Sequence, residues 1–297
     1  MIVQKRFDRW KWVVFFLAPS LAGLLIFIIY PIVMSIGVSM TDWTLPREPN
    51  FIGLTNFTNV LNDTRFWSAL RITLIFIALY VPSVFIAGLG LALFMNTKLP
   101  GMLIIRTTSF MPVVASWVVV SLIGRWMFNP TYGPVNYFLS LVGIQGPTWL
   151  YEPTTALLAI VIISVWKDMG YNALLFLGGL QNISESYYES ARIDGASRWD
   201  LFRFITVPLL TPTMFFVVIT LLINYFQMFD AVYLMPIRDT AAERELSTLV
   251  VEIVKNAFSY NRMGYASAMS WALFILIFII TIIQLRVQKR WVYYEVD

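Results

Sequence analysis

The chain has 297 residues, of which 59% are hydrophobic, 16% aromatic and 13% charged, against about 25% charged in an ordinary soluble domain. So few charges cannot clothe a soluble globule of this size, which excludes a water-soluble enzyme and a disordered chain and leaves a membrane protein. Histidine and cysteine are absent, removing disulfides, zinc centres and every Ser-His-Asp or Cys-His arrangement. The net charge is +4, from 21 basic and 17 acidic residues. Basic residues in a membrane protein report topology first, and no nucleic-acid partner is expected.

A helical span needs about 20 mostly apolar residues. Six stretches qualify, at roughly 12–36, 72–95, 107–128, 154–180, 206–229 and 265–285. Long unbroken runs such as Trp271–Ile283 favour helices over the alternating segments of a transmembrane barrel. The expected fold is therefore all-α, a single domain over 1–297 with its core at about 70–285. The first stretch follows Lys5, Arg6, Arg9 and Lys11 but runs on past Tyr30. A signal core is only about 7–15 residues long, so this stretch reads as a retained span.

Placing the N-terminus in the cytoplasm puts 12 basic residues inside and six in the outer connections 37–70, 129–153 and 230–264. This bias predicts that both termini are cytoplasmic. The basic groups at 5–11 and 286–290, with Arg71 and Arg125 near span ends, then read as anchors beside lipid. Prolines 19, 31, 82 and 112 punctuate spans, and Gly88 with Ala92, like Ala266 with Ser270, offers small residues at helical spacing for close packing.

Between the fourth and fifth spans, residues 185–212 read ESYYESARIDGASRWDLFRFITVPLLTP, with seven charged side chains. Tyr187, Tyr188 and Ala191 share a helical face before Asp194-Gly195 turns the chain. Trp199, Phe202 and Ile205 mark a second short helix, Ser197–Thr206, and Pro208 opens the next span. Two amphipathic helices around a glycine turn make a knob, suited to a groove in a soluble partner or to a bed of lipid headgroups.

Glu189-Ser190-Ala191, Asp194-Gly195-Ala196, Phe202, Ile205 and Pro208 together resemble the EAA motif of ABC-importer permeases, departing at Ser190 and Val207. Phe51-Ile52-Gly53-Leu54, Asn129-Pro130, Gly178 to Gln181 and Gly264-Tyr265-Ala266 extend the likeness to the branch that takes up maltose, oligosaccharides and glycerol phosphate. After Phe229-Asp230 the branch often has a Gly-Gly-Pro turn, where this chain reads Met235-Pro236-Ile237-Arg238. The resemblance implies a type I importer permease fold in the cell inner membrane, with 185–208 as a cytoplasmic coupling segment. It implies a second homologous permease as heterodimer partner, two copies of a cytoplasmic ATPase, an extracytoplasmic solute-binding protein and a carbohydrate cargo. No glycine here is followed by lysine, so the P-loop is missing. The chain is expected to be a transport subunit without catalytic residues, metal or cofactor, ATP and magnesium belonging to the partner ATPase.

Polar residues inside spans cost roughly 2.5–3.5 kcal/mol each on insertion scales. Ser164, Asp168, Tyr171 and Asn172 share one face of the fourth span, and Thr220, Asn224, Gln227 and Met228 one face of the fifth. With Trp166 and Tyr225 nearby, they either line a hydrated cavity or bond one another to hold the bundle. By the resemblance, Asp168, Tyr171, Asn224, Tyr225 and Met228 fall at substrate-facing positions of a maltose-type permease. Adjacent Lys167 and Asp168 point to different faces. Two competing functions are an ion-coupled secondary transporter using Asp168 and an intramembrane enzyme using Asp168 or Lys167.

Overall fold

A computed structural model describes residues 2–97 and 99–293, with side chains from Lys11 onward; Lys98, counted among the inner basic residues, and the side chains of Lys5, Arg6 and Arg9 lie outside what it describes. The helices in chain order are α1 (Ile2–Leu24), α2 (Tyr30–Ser39), α3 (Thr55–Asn62), α4 (Thr64–Met95), α5 (Met102–Val114), α6 (Trp117–Met127) and α7 (Pro134–Leu141). They continue as α8 (Pro153–Gln181), α9 (Glu185–Ile193), α10 (Arg198–Asp200), α11 (Val207–Phe226), α12 (Asp230–Leu234), α13 (Ala241–Glu245), α14 (Leu249–Val254) and α15 (Met263–Trp291). Three π-helical turns, Leu25–Ile29, Leu201–Thr206 and Lys255–Ser259, join neighbouring elements. Among the described residues, five helical stretches are long and apolar enough to cross a membrane, and α5 with α6, bent by 99°, makes six if the pair counts as one span.

That bend departs from the straight span expected over 107–128, and local residues mark the break. Pro112 lacks the N–H that would continue the α5 ladder. Ala115 is extended, and Ser116 caps the start of α6, its hydroxyl accepting from Val119 N–H at 3.4 Å. The fifth span differs as well. Residues 198–226 form one continuous helical path, so the segment after Ser197 is the first part of the span and not a separate short helix. Pro208 cannot donate to the carbonyl of Phe204. The chain answers with the wider turn just before it, in which Val207 N–H reaches back to Phe202.

The chain falls into two compact units. One comprises residues up to Asp63 with Ile253–Leu273, the other Thr64–Glu252 with the residues from Phe274 onward. In the first unit, Asn56 is buried and donates to the carbonyls of Ser39 and Thr41 at 2.9 and 2.7 Å. Tyr265 donates to Asp63 at 2.6 Å and the Trp271 indole to Ser35 at 3.2 Å. Gly264 lies so close to Thr41 that a Cβ there would come to 2.0 Å from its carbonyl oxygen; the tight approach is at this glycine, while Ser270 is exposed. Asn50 holds the exposed Asp42 carboxyl below the usual range through a backbone hydrogen bond of 2.7 Å. The apolar side chains of Trp12–Ile36 are almost all exposed, a surface fit for lipid rather than water.

In the second unit α8 is the hub, packed against α4, α5, α6, α11, α12 and α13. Small residues set how near its neighbours come. A Cβ at Gly170 would meet the Ser109 carbonyl oxygen of α5 at 1.9 Å, one at Gly88 would meet Asn172 Cβ at 2.9 Å, and one at Gly179 would meet Thr213 of α11 at 2.4 Å. The segment that departs from the Gly-Gly-Pro pattern is built in. Met235 is fully buried beside Gly124, and Leu249 N–H donates to the Thr73 hydroxyl at 3.0 Å. Gly170→Val is expected to force α5 and α8 apart and destabilise the detergent-purified chain by about 1–3 kcal/mol, read as a lower thermal midpoint. Gly178→Ala, which meets open space, leaves that midpoint nearly unchanged.

Candidate functional site

Around α8 and the end of α11 lies a cavity of about 330 Å³. Asp168, Tyr171 and Asn172 line it from α8, and Thr220, Asn224 and Tyr225 from α11. Gln227 and Met228 complete the predicted set just past the end of α11. The structure thus brings these eight residues to one cavity. The straight stripe expected for the fifth span is only partly helical, since Gln227 already caps α11 and Met228 lies in the following turn. Ser164 and Trp166 are not part of the wall: Ser164 is buried in the bundle and Trp166 is exposed elsewhere on α8.

Asp168 is the most constrained group in the cavity. Tyr80 of α4 donates its hydroxyl to Asp168 Oδ2 at 2.8 Å, and Tyr225 of α11 donates to the same oxygen. The two tyrosine rings stack with centroids 3.7 Å apart, and Phe76 stacks on Tyr80 at 5.7 Å. Three helices are therefore pinned at one carboxylate, and neither tyrosine engages Oδ1. Of the predicted residues, Asp168 and Tyr225 bond across the bundle, and both also line the cavity. Other polar groups are satisfied within their own helix. Asn172 donates to the Asp168 carbonyl at 2.9 Å, Gln227 to Ile223 at 3.1 Å and Thr220 to Phe216 at 2.9 Å.

Sequence reasoning missed Tyr80 and Phe76, and also Trp117 and Asp230, which line the cavity from the starts of α6 and α12. Tyr80 carried a usable signal: a phenol in the middle of an apolar span needs a hydrogen-bond partner. Trp117 and Asp230 carried none, because their position depends on the break before α6 and on the turn after α11. Lys167 points away from Asp168, as the spacing implied, and its ammonium bonds to the carbonyls of Pro112, Val113 and Ala115 at 3.3, 3.1 and 3.0 Å.

The second candidate region is the segment 185–208. Helix α9 ends in a Schellman motif. Gly195 takes φ +84°, Ala196 N–H reaches the Ala191 carbonyl at 2.9 Å, and Gly195 N–H reaches Arg192 at 3.1 Å. Ser197 then starts the next helix with a reciprocal capping box: Asp200 N–H donates to the Ser197 hydroxyl at 3.3 Å and Ser197 N–H to the Asp200 carboxylate at 3.0 Å. Tyr188 folds back to Thr206, their hydroxyls 3.1 Å apart, so the two arms are tied together. Glu189, Ser190 and Asp194 are exposed, Ala191 and Ala196 are half-buried on either side of the turn, Phe202 packs on Trp199 with centroids 5.6 Å apart, and Pro208 follows the π turn. Three large apolar side chains face outward, Ile193 at 87% exposure, Trp199 at 64% and Phe204 at 67%. Ile193 and Phe204 were not among the apolar positions singled out from the sequence.

Five long apolar helices and one bent pair among the described residues, a polar cavity within the second unit and a braced knob between α8 and α11 are the parts of a multi-pass membrane permease. The comparison with protein families is decisive. Residues 65–293 match the family described as binding-protein-dependent transport system inner membrane component, and the chain belongs to that family. It is accordingly a multi-pass inner-membrane transport subunit. The probable ABC transporter permease protein YesP of Bacillus subtilis is 34% identical, the match covering 94% of this chain and 91% of the relative. The trehalose/maltose transport system permease protein MalF of Thermococcus litoralis is 33% identical over 91% of each chain. The arabinooligosaccharides transport system permease protein AraP of Bacillus subtilis is 33% identical over 91% of this chain and 86% of its own. Among solved structures, a chain of a bacterial alginate ABC transporter in complex with an alginate pentasaccharide-bound periplasmic protein superposes with a TM-score of 0.86 at 22% identity, covering 98% of both chains. That likeness shows the shared fold.

Tyr80→Phe is expected to destabilise the purified chain by about 1.5–3 kcal/mol, the range for a hydrogen bond to a charged group. Thermal unfolding in detergent checks it, and Tyr171→Phe, at a half-exposed position on the cavity wall, serves as the comparison with little loss.

Proposed function

We propose that the chain is the permease subunit of an ATP-binding-cassette importer for a carbohydrate, pairing with a second permease and driven through the knob at 185–208. The knob carries this reading. An exposed apolar trio on a turn held by a Schellman motif, a capping box and the Tyr188–Thr206 bond is a surface built to fit a groove without deforming. In this reading Glu189 to Ala196 and Phe202 seat against a cytoplasmic ATPase, which binds the ATP and magnesium, and both termini face the cytoplasm. An extracytoplasmic binding protein delivers the cargo. Family membership selects this reading over ion-coupled transport.

The cargo side follows from chemistry. Asp168, Asn224 and Gln227 supply donors and acceptors for hydroxyls, while the faces of Tyr171, Tyr225 and Trp117 suit the C–H surface of a sugar ring. The names of the sugar-transporting relatives point the same way. Asp168 Oδ1, which neither tyrosine engages, remains as an acceptor for a sugar hydroxyl.

Two outcomes test the reading. At Gly195 the surrounding space is open and the constraint is the backbone, φ +84°. Valine there costs about 1–2 kcal/mol of local strain whereas asparagine tolerates the left-handed region. Gly195→Val is expected to abolish uptake and co-purification with the ATPase at unchanged membrane abundance, and Gly195→Asn to keep both. Full uptake by Gly195→Val would refute the coupling role. Asn224→Ala is expected to change which of several sugars compete in uptake by reconstituted transporter, with ATPase recruitment unaffected. An unaltered competition pattern would remove Asn224 from cargo recognition.

A further inference from the structure

The buried lysine of α8 has no part in the reading above. Lys167 sits midway along a span at 4% exposure, where an unpartnered ammonium is costly. Its three carbonyl partners belong to the last turn of α5 and to the residue at the break. A helix end leaves carbonyls without partners, and in a membrane interior water is not there to satisfy them. Ser116 serves the N–H groups at the start of α6, and Lys167 serves the carbonyls on the other side of the same bend. Its charge also lies at the negative end of the α5 dipole. The ammonium stands 5.0 Å from the centroid of the Trp117 ring, within cation–π range. Trp117 is the first residue of α6 and a wall of the cavity, whereas Lys167 is not on that wall.

We propose that Lys167 is a positioning residue that fixes the 99° elbow of the third span and, through it, the Trp117 wall of the cavity. A single cation on α8 thereby sets the angle between α5 and α6 and the place of an aromatic surface facing the cargo. The elbow part stands on geometry alone, and its consequence for cargo rests on the cavity reading proposed above.

The chain contains no cysteine, so spin labels can be introduced at Leu103→Cys and Leu122→Cys, both exposed, on α5 and α6. Pulsed electron-paramagnetic-resonance distances are measured on the full chain in lipid nanodiscs. A narrow distribution is expected for the parent. Lys167→Met is expected to broaden or shift it, and Lys167→Arg, which keeps the charge and donors, to restore it. Lys167→Gln, uncharged but able to donate, gives a second reading should the methionine variant fail to accumulate; it is expected to broaden the distribution too. A parent-like distance in the methionine or glutamine variant overturns the proposal.

The cargo consequence is read as direct binding of radiolabelled maltose, trehalose and an arabino-oligosaccharide to the same nanodiscs. Lys167→Met and Trp117→Leu are each expected to weaken binding of the responding sugar about tenfold, Trp117→Leu without moving the elbow distance. A moved elbow with unchanged sugar affinity would sever Lys167 from the cavity and overturn that half. Failure of the carbohydrate reading looks different: the parent itself binds none of the three sugars, while the distance measurements still decide the elbow.

Discussion

A backbone carbonyl buried in hydrocarbon must find a donor inside the protein, and where the third span breaks, the helix ladder no longer supplies one to Val113 and Ala115. The rest of this bundle is arranged around meeting that demand. Lys167 supplies three hydrogen bonds from a neighbouring helix, which requires α8 to lie against α5. The approach is close because Gly170, one turn further along, has no side chain between the two backbones. The same demand appears at Pro208 and is met differently. There the ladder shifts by one residue into a π turn, and the Thr206 hydroxyl returns to the Leu201 carbonyl at 3.2 Å. One break is bridged by a foreign cation, the other absorbed by the helix itself.

Much of the fold was legible because hydrophobic length is a direct demand of the bilayer. The six stretches correspond to five long helices and one bent pair. The bend was not legible from Pro112 alone, since Pro19 and Pro82 sit inside continuous helices. What distinguishes Pro112 is the serine cap four residues on and a lysine more than fifty residues away, and the latter is a tertiary fact. The 185–197 turn was readable for the opposite reason: every group that makes it is local, from the glycine at the left-handed position to the serine and aspartate that cap the next helix. Its continuation reads as a separate short helix because Pro208 looks like the start of a new span, whereas the ladder passes it through a π turn. The helix merely passes from polar to apolar surroundings without stopping.

The cavity shows what period alone can and cannot give. Helical spacing found Asp168, Tyr171 and Asn172 on one face, yet it also selected Ser164, which the bundle buries. Spacing assigns a face and says nothing of where along that face the neighbours part. It also cannot see across helices. Tyr80 is the largest omission, because its hydroxyl is what makes Asp168 tolerable where it lies. The Asp168 carboxylate is held by two phenols whose rings stack on each other, so polar satisfaction and aromatic packing reinforce one another at a single point.

The chain order of these parts has a mechanical consequence. α8 carries Asp168 and ends three residues before α9, the knob follows, and the path from Arg198 runs without interruption into α11, which carries Tyr225. Both arms leaving the knob thus lead into helices that line the cavity. A soft linker on either side would dissipate a displacement as local bending, but the only non-helical residues are the few around Asn182–Ser184 and the capped turn at Asp194–Ser197. The Tyr188–Thr206 contact ties the arms at the knob and the Tyr225–Asp168 bond ties them again at the cavity. Two helices linked at both places respond to a load as one lever. α6 is tied to the same lever, for Gly124 packs beside Met235 and Ile163, and its first residue, Trp117, faces the cavity from the other side.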